Sequence, residues 1–293
     1  MRRVLIYVFA SLLILVLLSL LALRLVRPAR TDQTAELFQG VSYTRNVRQF
    51  PRPLVVHVVT IDLTAPGLGV LITPGDDNGP LEFSARTTSE FLAEFDLQLA
   101  INGSFFKPFH ANGLWDYYPH RNDPVNVTGL SISNGVTYSA SEIGYPVLCI
   151  STDNHAHIDR ENCPAGTAQA LAGNAILVKQ GASVILEQRA YYNNLHPRTA
   201  VAVDERGETL WLIIVDGRQA NYSEGITLAE LAMMAIELGA DNALNLDGGG
   251  STTLVTAGLW WPRSLNSPIH TRIPMRQRPV ANHLGIYVPS TTP

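Results

Sequence analysis

Thr199–Arg218, "TAVAVDERGETLWLIIVDGR", reads as two β-strands joined by a turn at Glu205-Arg206-Gly207. Both runs are apolar and rich in β-branched residues, and the polar triplet between them is turn chemistry. Antiparallel pairing would place Arg198, just before the first strand, and Arg218, just after the second, at one end of a sheet. Upstream, "LVVHVVTIDL" (Leu54–Leu63) is a largely buried strand. Gly69–Thr73 follows it after a Pro-Gly turn and is expected to pair with it. Ala175–Leu186 is a further hairpin, turning at Gln180-Gly181.

Two helices break this series of strands. Thr87–Phe95 begins with hydroxyl residues and puts Phe91, Leu92 and Phe95 on one face. In "TLAELAMMAIELGA" (Thr227–Ala240), Thr227 and Glu230 form a capping-box pattern and Gly239 suits the C-terminal cap. Leu231, Met234, Ala235 and Leu238 mark its apolar face. The expectation is a mixed α and β fold: one sheet-rich domain with a few helices behind an N-terminal transmembrane helix, and a catalytic domain over 51–290.

Val4 to Leu23 is apolar except for Ser11 and Ser19, about the ~20 residues that span a bilayer core. We read 1–26 as an uncleaved signal anchor, with secretion after cleavage as the alternative, and 27–50 as a linker. Arginines on both sides leave the orientation open. Cys149 and Cys163 both fall in the extramembrane part. In an oxidising compartment a disulfide there would close a ~15-residue loop, contributing about 3 kcal/mol; two buried thiols are the other reading. The anchor and the cysteine pair together place the catalytic part outside the cytoplasm. A formal net charge of −4 without a basic tract argues against nucleic acid as a partner.

Four stretches set glycines and polar residues where buried strands end: "INGSFF" (101–106), "HPRTA" (196–200), "VDGRQANYSEG" (215–225) and "NLDGGGSTT" (245–253). Such loops are where sites are built. Three consecutive glycines are costly in backbone entropy, and a plain turn needs only one or two. Their N–H groups at Gly248, Gly249 and Gly250, with Arg198 and Arg218, would form an anion site suited to phosphate. Asp216, Glu224 and Asp247 bring carboxylates to the same rim, as glycosyl-bond hydrolysis requires. The glycine run is no Walker A loop, and Ser251 is not in a serine-hydrolase elbow. His155, His157 and the residues around them match no zinc spacing. A divalent cation on Asp247 and backbone carbonyls is compatible with the residues, but nothing in the sequence requires it. Lys107–Asn126 lacks periodicity, as a binding loop or a surface excursion would.

"NGSFF", "RTAVAVD", "VDGRQANYSEGITLAELA", "ALNLDGGGSTTLV" and "RPVANHLGIYV", in that order, resemble the phosphodiester glycosidase family across roughly Leu54–Val288. The resemblance implies hydrolysis of a sugar-1-phosphodiester to free sugar and a phosphomonoester. Arginines and N–H groups would then stabilise the leaving phosphate, with Ser251 and Thr252 adding hydroxyls. Asp247, then Glu224 or Asp216, would act on the sugar side as nucleophile or base. Asn102, Asn245 and Asn282 suit sugar hydroxyls. Ser104, where many members carry glycine, is expected to narrow the pocket. The alternative from another class is a non-catalytic module that binds anionic polysaccharide with the same loops.

Overall fold

The computed structural model describes residues 7, 9, 11–15, 27–76, 79–184 and 193–288. Most of the run expected to cross a membrane lies outside the described residues. Among the described residues, no helix is long and apolar enough to span one.

The hairpin that opened the sequence reading forms as expected, Arg198–Val203 against Thr209–Val215, with Arg198 opposite Val215. It is the centre of an eight-stranded antiparallel sheet. The spatial order is Gln33–Phe38, Val41–Arg48, Leu54–Asp62, Thr209–Val215, Arg198–Val203, Asn242–Asn245, Ala175–Lys179 and Ala182–Ser183. Period-2 alternation splits the strand Thr209–Val215 between two cores. Leu210, Leu212 and Ile214 face the interior shared with the other sheets, while Trp211, Ile213 and Val215 face a helix.

That helix, Leu228–Glu237, is fixed by the capping box read from sequence. Glu230 N–H donates to Thr227 Oγ1 at 3.2 Å, and Thr227 N–H returns to Glu230 Oε2 at 2.9 Å. Leu228, Leu231, Ala232 and Ala235 are fully buried. Each such leucine contributes on the order of 1.5–3 kcal/mol. Thr88–Glu94 is capped by Thr87 and Glu90 in the same way.

A five-stranded sheet (Arg263–Ser264, Leu254–Thr256, Leu99–Asn102, His283–Tyr287, Gly69–Ile72) packs on the inner face of the large one. Two expectations are corrected here. Gly69–Ile72 does not pair with the strand before it but with His283–Tyr287. Residues 33–48 are no linker; they form two strands continuous with the large sheet, with Val41 and Tyr43 in the core. A second five-stranded sheet carries Cys149 on strand Val147–Ser151. Cys149 and Cys163 form a disulfide, Cα to Cα 5.7 Å.

The architecture places the glycine run at a crossing. Asn242–Asn245 belongs to the large sheet and Leu254–Thr256 to the smaller one. Residues 246–253 are the passage between the two layers.

Candidate active site

Asp247 occupies the first step of that passage. Its N–H donates to Gly103 O at 3.1 Å, and its carbonyl accepts from Asn102 Nδ2 at 2.6 Å. Asn102 also takes Thr199 Oγ1 and Thr253 N–H, each at 3.0 Å, on its Oδ1. It is wholly buried and pins the passage to both sheets. The Asp247 carboxylate accepts from Ser251 Oγ at 2.5 Å, and Ser251 accepts from Arg278 Nη1 at 3.0 Å.

Around this carboxylate lies a cleft of about 380 Å³, lined by Phe105, Phe109, Ala111, His196, Arg198, Arg218, Asn245, Asp247, Gly248, Gly249, Gly250 and Arg278. The volume is of the order of a small-molecule site. Two guanidiniums, Arg278 and Arg218, thus act on one carboxylate, and Arg198 lines the same cleft. Burial pushes the Asp247 carboxyl above the usual range, with Arg278, Ser251, the Gly248 N–H and Arg218 opposing the shift. Arg218 Nη2 donates to His196 Nδ1 at 3.4 Å. His196 is held toward its neutral form by burial, Arg218 and Arg198.

Of the three N–H groups expected to form a cradle, that of Gly249 donates to Pro197 O at 2.8 Å and that of Gly248 serves Asp247. The missing side chains also admit the guanidiniums. A Cβ on Gly250 would lie 2.5 Å from Arg278 Nη2, and one on Gly249 3.1 Å from Arg218 Nη1. Gly249 also has φ +60°, where a Cβ costs roughly 1–2 kcal/mol.

The other expected site residues divide. Arg198 lines the cleft, although Nε and Nη2 donate to Ile226 O (3.2 Å) and Asn194 O (3.0 Å). Asn245 also lines it. Its amide nitrogen donates to Asn174 Oδ1 at 2.7 Å and to Leu246 O at 3.0 Å, leaving Oδ1 without a partner among the described residues. Asp216 and Glu224 do not line the cleft. Asp216 is buried behind it, with His57 Nε2 at 3.0 Å on one oxygen and Ser267 N–H (2.8 Å) and Asn266 Nδ2 (3.1 Å) on the other. Glu224 contributes its backbone, its carbonyl accepting from Arg218 N–H at 3.2 Å. Asn282 is turned inward to Ser104 and Ser131, and Ser104 Oγ bonds Asn282 rather than narrowing the cleft. Thr252 is buried outside the lining.

Sequence reasoning missed His196, Arg278 and the aromatic wall of Phe105 and Phe109. Arg278 is five residues short of strand His283–Tyr287, beyond the reach of a rule that looks only at strand ends. Its guanidinium is nonetheless fixed on three sides. Nε donates to His270 Nδ1 at 3.2 Å, Nη1 holds Ser251, and the group lies 4.5 Å from the Phe109 ring centroid. His270 accepts because burial and the neighbouring arginines drop its pKa to about 3, which keeps it neutral. Among the described residues, no cluster of three or more His, Cys, Asp or Glu side chains is arranged to hold a metal. The arginines would in any case repel a cation at Asp247.

A carboxylate buried beside guanidiniums, on this layered sheet fold, makes the cleft one suited to an anionic ligand. The chain belongs to the phosphodiester glycosidase family, whose family model matches residues 95–287. It is 27% identical over 202 residues to the human N-acetylglucosamine-1-phosphodiester alpha-N-acetylglucosaminidase, covering 64% of this chain and 37% of that one. The bovine protein of the same name is 36% identical over 104 residues, 31% of this chain and 19% of its own length. The chain therefore spans little more than a third of these curated relatives at most.

The zebrafish N-acetylglucosamine-1-phosphodiester alpha-N-acetylglucosaminidase catalytic domain, solved auto-inhibited by its pro-peptide, superposes with a TM-score of 0.60. The identity is 21%, covering 88% of this chain and 87% of that one. A hypothetical protein from Synechocystis gives 0.58 at 19% identity, over 89% of this chain and 64% of that one. At these identities the structural likeness establishes the fold alone.

Proposed function

We propose that this chain hydrolyses a sugar-1-phosphodiester at the Asp247 cleft, releasing a free sugar and leaving a phosphomonoester on the acceptor. The observation that carries the reading is the buried Asp247 carboxylate beside Arg218 and Arg278 in one small cleft that Arg198 also lines. As the glycosidic C–O bond breaks, negative charge grows on the departing phosphate, where Arg218 and Arg278 stabilise it without rearrangement. Positive charge grows on the anomeric carbon, where Asp247 serves as nucleophile or base. Asn245 Oδ1 offers an acceptor to a sugar hydroxyl. The expected substrates are envelope or exported glycans. The N-terminal apolar run and the disulfide support a membrane-anchored domain outside the cytoplasm.

The test is hydrolysis of an aryl ester of a hexose-1-phosphate in ¹⁸O water, beside the matching simple aryl glycoside. The label should enter the sugar hydroxyl, and the simple glycoside should be spared. Label in the phosphate would mean P–O cleavage and overturn the glycosidase chemistry. Equal rates on both substrates would overturn the phosphate requirement.

A further inference from the structure

The hairpin of Leu254–Thr256 and Arg263–Ser264 closes through "AGLWWP", residues 257–262. Thr256 and Arg263 are its last pair, and Ala257 N–H donates to Gln98 O at 2.8 Å. A Cβ on Gly258 would collide with the Trp261 carbonyl, so the turn has a definite shape that glycine permits. Three residues out and three back extend at most about 10 Å beyond the sheet. At the tip, Leu259, Trp260 and Trp261 are 91%, 82% and 82% exposed. Consecutive large apolar side chains held in water on a protrusion mark a surface that something covers.

The N-terminal apolar run joins the domain beside this hairpin. Arg27 lies 4.8 Å from the Tyr222 ring centroid, and Tyr222 OH donates to Pro28 O at 3.2 Å. Tyr222 N–H donates to Gln219 O at 2.8 Å. Gln219 in turn exchanges two hydrogen bonds with Ser267, each at 3.0 Å, four residues after Arg263. Burial above all raises the phenols of Tyr43 and Tyr222; Arg263 acts on the first and Arg27 on the second. On the same side Arg30 Nη2 donates to Gln49 Oε1 at 3.2 Å, next to Phe50, which is 87% exposed.

Chain length limits how far a membrane can be from this face. Four residues carry the chain from Leu23, the last of the apolar run, to Arg27. Four residues span at most about 14 Å. A bilayer that holds the run is therefore within reach of the tip.

We infer that Leu259, Trp260 and Trp261 enter the headgroup boundary of a lipid bilayer, giving the domain a second membrane contact. The inference rests on the reading of residues 1–26 as a membrane anchor and goes beyond it, because two points of attachment fix the tilt of the domain where one does not. Indole rings settle at that boundary, where the ring is buried and its N–H stays wet. Leu259 has no such polar handle and favours lipid over a glycan, which would stack on the indoles and leave the leucine in water. Arg263 at the hairpin's base suits lipid phosphates, and from Gly248 to Pro293 the chain has no Asp or Glu to repel them.

The test reconstitutes the full chain into vesicles of phosphatidylcholine and phosphatidylglycerol whose acyl chains are brominated near the headgroup, where bromine quenches indole on contact. Residues 1–26 contain no tryptophan and two of the chain's four are at the tip, so quenching reports the domain and not the anchor. About half the tryptophan emission should be lost in the wild type relative to unbrominated vesicles, and less than about a tenth in Trp260→Phe/Trp261→Phe. Trp115→Phe removes the other exposed tryptophan and should leave the quenched amplitude unchanged. Emission untouched by brominated lipid, quenching that survives the double variant, or quenching that vanishes with Trp115→Phe would overturn the contact. Shielding of the tip from iodide that grows with protein density in the vesicles would mean that a second copy covers it, and would overturn the contact too. Alkaline carbonate tests the anchor separately, and the double variant should resist extraction as firmly as the wild type. A wild type that carbonate removes but brominated lipid still quenches upholds the tip contact and rejects the anchor.

Discussion

Asp216 and Asp247 each follow a largely buried strand and are each followed by glycine, yet the fold ties up one carboxylate on both oxygens and opens the other to a cleft. Asp216 is met by His57 from the next strand of the large sheet, and by Asn266 and Ser267 from the loop before residue 270. His57 in turn holds Tyr43 OH at 2.8 Å, so the aspartate ends a buried chain of polar contacts. Asp247 has the Ser251 hydroxyl and the Gly248 N–H on its carboxylate and guanidiniums beyond them. The same three-residue pattern thus gives a brace in one place and a cleft-lining carboxylate in the other. What other segments bring to each carboxylate makes the difference.

Charge removal should separate the two most clearly. Asp247→Asn should lower turnover by at least ~10³-fold, about 4 kcal/mol of barrier, measured at pH 7 beside a thermal melt. Burial raises this carboxyl's pKa in the folded state, so its ionised form costs stability once the pH rises through that value. The amide should therefore melt at the same temperature or slightly higher. Retention of more than a tenth of the activity would remove Asp247 from the mechanism.

Asp216→Asn should do the reverse. An amide nitrogen or a neutral oxygen in place of that buried carboxylate disrupts a satisfied network, at a cost of about 3 kcal/mol read from denaturant midpoints. Turnover per folded molecule should change less than tenfold. Collapse of activity without loss of stability would exchange the roles of the two aspartates.

Arg278→Ala and Arg218→Ala should each cost roughly ten- to a hundredfold in kcat/KM, the value of a charged hydrogen bond of about 1.5–3 kcal/mol. Both should weaken inhibition by phosphate as well. If double replacement leaves phosphate inhibition intact, the anion site lies elsewhere.

The smallest effect is in the pH profile. With Asp247 acting ionised, kcat/KM should rise on an acid limb above the ordinary carboxylate range. Arg278→Gln should move that limb further up, because Arg278 is the strongest of the groups that lower this pKa. A limb that stays in place would mean that Asp247 does not set it.

The central hairpin and the two capped helices were legible because their signals are local: alternation, a turn triplet, and Thr with Glu three residues on. The first strand, Gln33–Phe38, is exposed or half-buried throughout and so carries no period, and the second was hidden by a single residue. Val41, Tyr43 and Arg45 share the inward face, and an arginine there erases the period. Arg45 is accommodated by Thr31, whose carbonyl oxygen accepts at 2.8 Å and whose Oγ1 accepts at 3.2 Å. The partner of Gly69–Ile72 could not be read, because it lies some two hundred residues away and no local feature selects it. In the site, strand-end aspartates were visible, but the feature that distinguishes Asp216 from Asp247 is contributed by His57, Asn266 and Ser267. Arg278 was hidden for a related reason, since a buried tertiary clamp, not a strand end, positions it.

The fit of Arg278 against Gly250 also restricts the order in which descendants of this chain can change. A lineage that first loses Arg278 can then accept a side chain at position 250, because the obstructing guanidinium is gone. The opposite order must displace the guanidinium from Ser251, 2.5 Å being far too close for a Cβ and a nitrogen. Once position 250 is filled, an arginine restored at 278 no longer has room to dock. Change at this pair is therefore ordered: position 278 is lost before position 250 is filled, and an arginine can return at 278 only after 250 is glycine again.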